Sequence, residues 1–428
     1  MPLPRRLVIV PAVIALVAVA AFAATWLAAR TEWARGMVAR QASEALGLPA
    51  TVAALEAGFL PSPTLAIGGL AVAQPPGFGD APFIEAGRIV VRLPWRSLFG
   101  AARLDAVSVS DAKLRLVTLS DGRSNWAALF HEAPAELAAA GRADWFLGRL
   151  TLERGQVEIR DGSVGSHWQL AGLALDAAGV APGAEFPLEL KLAALLGPNT
   201  LHYAATGRAR LDPDAGRYEA SGLAFRGWAG GDPLPLAGAE LSGELESAVY
   251  EDATGVATLQ AGRFTFGGVP ASFDGSIDFD APTLVATFRV ATEPFAPRAS
   301  AIIFGHPLPA TTDPTALESL QLVAEARLQE GTLRLDPVSG RLDDTNFEGR
   351  IVPSERLVRA RLDRIDLNRY LPPAARTPRK KKATLEAAVA QLADLDLDAE
   401  IAIAEARVSG ATIRDAKIRV ERDGGHKP

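Results

Sequence analysis

The chain has 428 residues, 48% of them hydrophobic, and a net charge of −6. That much apolar material excludes global disorder, and the mild acidity argues against a general nucleic-acid binder. The absence of cysteine excludes disulfides, thiolate catalysis and cysteine metal sites, while 39 glycines and 30 prolines favour many short segments over long helices.

The first element is the apolar run "RRLVIVPAVIALVAVAAFAATWLAAR", in which the 23 residues from Leu7 to Ala29 carry no charge. As a helix such a run spans ~35 Å, enough for a hydrocarbon core of ~30 Å. Trp26 falls where an interfacial aromatic belongs. "AFA" at Ala21–Ala23 has the form of a signal-peptidase site, but the run exceeds a typical signal core. Residues 1–30 therefore read as an uncleaved anchor that crosses the membrane through 7–29. Arg30, Arg35 and Arg40 balance Arg5 and Arg6, so orientation rests on the short tail and the large body that follows, which favour export of the body. In residues 31–47, Trp33, Met37, Gln41 and Ala45 stand at helical spacing and Gly47 supplies a stop. This predicts a juxtamembrane helix, either a stalk or a segment lying on the lipid surface.

From about Val52 the period changes to two. "TLAIGGLAVAQ" and "GRIVVRLPWRSLFG" read as strands between glycine and proline turns. A small unit then recurs, with two alternating apolar residues, four mainly polar or small ones, and two more apolar. Its copies are Val107-x-Val109, "SDAK", Leu114-x-Leu116; Leu150-x-Leu152, "ERGQ", Val157-x-Ile159; and Ala326-x-Leu328, "QEGT", Leu333-x-Leu335. Each predicts a strand, a short bend and a second strand. "GATIRDAKIRVERDGG" repeats the pattern more loosely. Helices are expected only in the anchor and stalk, in "PAELAAAGRADWFLG" and in "TLEAAVAQLADL". The resulting division is a β-rich body over 48–376, a solvated basic linker over 377–383 around "TPRKKK", and a helix-plus-strands segment over 384–428.

Little in the chain points to chemistry. The five histidines, His131, His167, His202, His306 and His426, lie far apart and none forms a helical zinc pair, so neither a metal nor a cofactor is expected. There is no nucleophile elbow, phosphate-cradling loop or dinucleotide fingerprint. In "DLDLDAEIAIAE", Asp394, Asp396 and Asp398 alternate with leucines, and Ala399 holds the place where a calcium loop needs glycine. That stretch reads as a strand with an acidic face. "LSDGRSNW" offers Asp121, Gly122, Asn125 and Trp126 without a nucleophile or activating histidine. It reads as a structural corner in which "SDGR" reverses the chain, Asn125 bonds turn amides and Trp126 plugs the end of a sheet.

At this motif the chain resembles the AsmA family. The anchor, then "GLPATVAALEAGFLPSPTLAIGGLAVAQPPGFGDAPFIEAGRIVVRLPWRSLFGAARLDAVSVSDAKLRLVTLSDGRSNWAAL", then "LERGQVEIRDG", "LDDTNFEGRI" and "IDLNRYLPP" resemble successive blocks of that family from about Pro4 to Gly425. With no catalytic motif an enzyme is not expected, and the resemblance implies a protein of the Gram-negative envelope, held in the inner membrane with its bulk in the periplasm. The implied fold is mainly β, an N-terminal transmembrane helix followed by an elongated, curled antiparallel sheet or groove with a few short helices, β-taco or β-helix-like. Larger members of the TamB type resemble bridges carrying phospholipid between membranes, and the family is associated with outer-membrane protein assembly. Members usually continue past "SGATIRDAKIRVERDGG", so a short or truncated member is expected.

Two functions compete on this basis. In one, Val107, Val109, Leu114, Leu116, Leu150, Leu152, Val157, Ile159, Leu333 and Leu335 line a trough for the acyl chains of phospholipid or another envelope lipid. In the other, the chain assists assembly of an outer-membrane or assembly-machinery protein and carries no lipid.

Overall fold

The computed structural model describes residues 32–58, 60–98, 103–126, 145–162, 166–196, 199–231, 238–281, 285–305, 307–329, 332–371, 373 and 398–420. The expected anchor, basic linker and helix near Thr384 lie outside them. No described helix is long and apolar enough to cross a membrane. The chain divides into two compact units, Met1–Asp232 with Glu244–Gly255, and Pro233–Gly243 with Val256–Pro428.

The first unit opens with α1 (Glu32–Leu46), which ends at Gly47 in the left-handed region (φ 69°), as its position in the sequence predicts. The strands are β1 (Ala50–Gly58), β2 (Thr64–Val72), β3 (Ile84–Arg92), β4 (Arg103–Leu104), β5 (Ala106–Thr118), β6 (Phe146–Asp161), β7 (Ser166–Val180), β8 (Glu185–Leu196), β9 (Asn199–Asp212) and β10 (Arg217–Gly230). β11 (Ala239–Glu251) follows, its residues divided between the units. Antiparallel pairing joins β1, β2, β3 and β5 in that order, and β6 through β10 in chain order.

The second unit holds β12 (Val256–Phe266), β13 (Val269–Asp278), β14 (Val285–Thr292), β15 (Leu320–Gln329), β16 (Thr332–Leu342), β17 (Thr345–Val352), β18 (Leu357–Asp366), β19 (Asp398–Val408) and β20 (Ala411–Val420). Two short helices that the sequence pattern did not predict interrupt it, α2 (Pro297–Ile303) and α3 (Leu367–Tyr370). β12 through β18 are antiparallel neighbours in chain order.

The architecture is thus mainly β with few helices, but the antiparallel expectation fails at two places. β5 and β6 pair in parallel, as do β18 and β19. Parallel neighbours need a crossover rather than a tight turn, and both pairs are separated by long connections in sequence. A second correction concerns "PAELAAAGRADWFLG". Its last residues, Phe146–Gly148, open β6 instead of ending a helix, because Leu147 is fully buried and pairs with Leu104 and Val180.

The repeat folds in two ways. In its first two copies the strand, bend and second strand make one long bent strand, and the two lie side by side in register, Val107 opposite Leu150, Val109 opposite Leu152, Leu114 opposite Val157 and Leu116 opposite Ile159. The inner apolar residues of each copy stand five apart, an odd spacing that a regular strand would send to opposite faces. A left-handed residue inside each copy cancels this, Asp111 (φ 54°) in β5 and Arg154 (φ 53°) in β6. Their side chains clasp each other, Arg154 Nε and Nη2 donating to Asp111 Oδ1 and Oδ2 at 2.7 and 2.9 Å. Gly69 in β2, Gly172 in β7, Gly222 in β10 and Asp415 in β20 adopt the same left-handed conformation in mid-strand. The third copy is a true hairpin, with Ala326 opposite Leu335 and Leu328 opposite Leu333.

The resets keep apolar residues on one side. In the first unit Leu65, Ile67, Ile89, Val91, Val107, Leu147, Ala177 and Phe186 form a buried cluster with Val38 of α1. Leu65, Val91 and Leu147 are fully buried, which a bare sheet face cannot achieve. α1 contributes only Ala34 and Val38 to that burial, so the sheet itself curls to supply the second layer.

Candidate apolar binding face

The β5–β6 register places all eight predicted trough residues of the first unit on one face. They do not share one environment. Val107 is buried in the cluster, with Val109 and Leu150 packed against it, so Val107 has no surface to offer a ligand; this corrects its assignment to a trough. Leu114 and Leu116 pack against a second cluster built from Leu48, Ala50, Val72 and Phe83. Leu152, Val157 and Ile159 stay half-buried. Beyond the left-handed residues the same face continues through Leu170 and Trp168 of β7, and Trp168 is 48% exposed.

On the opposite face the polar residues pair. Arg115 meets Glu85 at 2.9 Å, and Glu158 receives Lys113, Arg115, Arg160 and His167. Burial alone would raise the Glu158 carboxyl, but Arg160, Lys113 and His167 outweigh it and hold it below its ordinary value. The strands are therefore amphipathic, with a satisfied charged side and an apolar side.

Leu333 and Leu335 lie in the second unit, on β16, Leu333 38% exposed and Leu335 half-buried. Their face carries a feature that sequence reasoning missed. Three phenylalanines stand directly opposite glycines on the neighbouring strand, Phe273 with Gly262, Phe288 with Gly275 and Phe347 with Gly340. Each ring lies where the glycine's Cβ would be, so the glycines are seats for the rings. Phe264, Phe273 and Phe288 then meet edge to face at 5.8 and 6.3 Å. All these rings remain half-buried. The signal was present as glycines in strand patterns, which mark close approach of a neighbour, but only the register identifies that neighbour.

The corner motif is positioned by hydrogen bonds. Asn125 is fully buried; its Oδ1 accepts from Val117 N at 2.8 Å, and its Nδ2 donates to Gln74 Oε1 and Arg115 O at 2.8 and 2.7 Å. It holds the end of β5 to the loop after β2 rather than bonding turn amides. Asp121 instead holds Arg123, Gly122 takes φ 83°, and Trp126 packs on the Phe83 cluster. Among the described residues, no three His, Asp or Glu side chains gather in a metal-binding arrangement.

In the second unit two of the quoted sequence blocks converge. Asp343 accepts from the amides of Leu317, Glu318 and Ser319 and from the Tyr370 hydroxyl, while Arg369 bridges Asp313 and Asp344 at 2.6 and 2.9 Å. Thr315, through its hydroxyl and its amide, and then Arg369 lower the Asp313 carboxyl to about 2.

The model of the AsmA family matches residues 5–254, more than half of the chain. The chain belongs to the AsmA family. The match ends one residue short of Gly255, where the first unit ends, and takes in Pro233–Gly243 of the second. No curated protein matches the chain.

Proposed function

We propose that this AsmA-family chain is a non-enzymatic protein of cell-envelope biogenesis, held in the inner membrane through residues 7–29 with its body in the periplasm. Its task is to hold or conduct phospholipid acyl chains on its apolar strand faces between the inner and outer membranes. The observation that carries this reading is that each unit leaves an apolar strand face half-covered, at Val157, Ile159 and Trp168 in the first and on the ring-paved strands in the second. Each CH₂ taken from water onto such a face gains about 0.8 kcal/mol, so a single acyl chain would supply ample driving force. The satisfied charge pairs on the opposite face need no ligand.

The test is lipid extraction and mass spectrometry of the purified full chain, together with photocrosslinkers at Ile159, Phe273 and Phe288 and a control at Val107. Phospholipid should copurify, and the three face positions should label its acyl chains while Val107 does not. A preparation that retains no phospholipid and labels only protein would overturn the reading.

A further inference from the structure

One end of the first unit's strands is built unlike the rest. Leu60, after β1, is 89% exposed, Trp95 after β3 46% and Phe146 at the start of β6 39%. They form one rim. Trp95 Nε1 donates to Pro61 O at 3.1 Å, Ser97 Oγ donates to Arg103 O at 2.7 Å, and the Arg103 guanidinium lies 5.8 Å from the centre of the Phe146 ring. The indole N–H is thus satisfied within the rim. Arg92, Arg96 and Arg103 are exposed around these residues, with Asp105 among them. Further along the same strand end, β8 to β10 mix Glu185, Asp212 and Asp214 with Arg208, Arg210 and Arg217, Arg208 bridging Glu185 at 3.4 Å, and expose no large apolar side chain there among the described residues.

The chain also enters at this rim. Ala50 N donates to Ser43 Oγ near the end of α1, while Arg35 Nη1, near its start, donates to Ala53 O. α1 therefore runs antiparallel to β1, and its first residues, including the exposed Trp33, point towards the Leu60 end. The 23-residue apolar run immediately precedes that helix start.

We infer that the Leu60–Trp95–Phe146 rim docks on the surface of the lipid bilayer. Aromatic and aliphatic tips among arginines match the layered chemistry of a membrane interface: hydrocarbon for Leu60 and Phe146, headgroup phosphates for the arginines. The β8–β10 stretch of the same strand end, with mixed charges and no exposed large apolar side chain, has nothing to seat in the bilayer and stays in water. The inference rests on the anchored reading, and adds that the folded body is pressed to the membrane at a defined place.

The chain has no cysteine, so single nitroxide labels at Leu60→Cys, Phe146→Cys, Asp214→Cys and Val17→Cys are straightforward. The full chain is reconstituted in vesicles of phosphatidylethanolamine and phosphatidylglycerol, and collision rates with oxygen and with a nickel chelate are compared. The oxygen-to-nickel ratio at 60 and 146 should exceed that at 214 by about threefold or more, as for groups seated at the headgroup and acyl boundary. Equal ratios at 60, 146 and 214 would overturn the docking, as would labels at 60 and 146 shielded from both reagents, the mark of a protein contact. Val17 reads the anchor separately. Lipid at 17 with water at 60 sinks the docking alone; water at 17 sinks the anchor, while the comparison of 60 with 214 still decides the docking.

Discussion

The two units use the same kind of strand to opposite ends. In the first, curling brings Leu65, Val91, Val107 and Leu147 into a closed interior, while Val157, Ile159 and Trp168, on β6 and β7 beyond the left-handed residues, stay half-covered or exposed. In the second, the buried apolar residues are mostly small, such as Ala271, Ala286, Ala324 and Ala399, while Phe264, Phe273, Phe288 and Phe347 stay half-covered. One interior is filled by its own side chains and the other is paved and left open. Apolar alternation along a strand therefore does not tell a core from a binding face; what covers it does.

The sharpest way to break this contrast is to truncate one residue on each side. Leu147→Ala should cost about 2–5 kcal/mol and lower the unfolding midpoint in denaturant. Phe288→Ala should cost clearly less while reducing copurified phospholipid; equal destabilisation with lipid unchanged would erase the distinction. Next, Asn125→Ala should cost about 1–3 kcal/mol, because it strands the Val117 amide, whereas Asp121→Ala, which removes an exposed pair with Arg123, should leave stability close to wild type. If Asp121→Ala abolished a function without changing stability, the corner would be a site. Gly69→Val should cost about 1–2 kcal/mol, since a β-branched residue is forced to φ 62° and its Cβ meets that of Ala53 at 2.8 Å. The corresponding Gly→Ala change at Gly36, in a negative-φ helical setting with open space around it, should be neutral or stabilising by thermal melting.

The smallest effect concerns pH in the second unit. Asp313 has a carboxyl lowered from 3.8 to about 2, so the stability it lends is complete above its unfolded value and is lost as pH falls through the folded one. Hydrogen-exchange protection of the Thr315 amide, which donates to Asp313 at 2.9 Å, should therefore weaken between about pH 4 and pH 2, and Arg369→Ala should shift that loss to higher pH. Protection that is flat over this range would separate the Asp313 charge from the turn at Thr315.

Much of the strand content was legible because period-two alternation reports a half-buried face directly. The spacing of five in the repeated unit was legible too, but its meaning was not. Aspartate tolerates a positive φ but arginine does not favour it, and a bend into a hairpin accounts for the same letters, as it does in β15 and β16. The parallel pairings escaped because they depend on where a long connection returns the chain, a tertiary fact. Neither the division near Asp232 nor the phenylalanine–glycine seats could be read without register. The contrast between Val107 and Ile159 lay equally beyond reach, since both occupy matching places in copies of one pattern and differ only in what lies above them.

The mid-strand reset has a consequence for how such a molecule grows. A strand with one left-handed residue between two apolar pairs already carries everything needed to kink and still present a greasy side. Duplicating it in tandem lengthens the wall by roughly 4.8 Å without any change to its neighbours. Wall length thus becomes a matter of copy number.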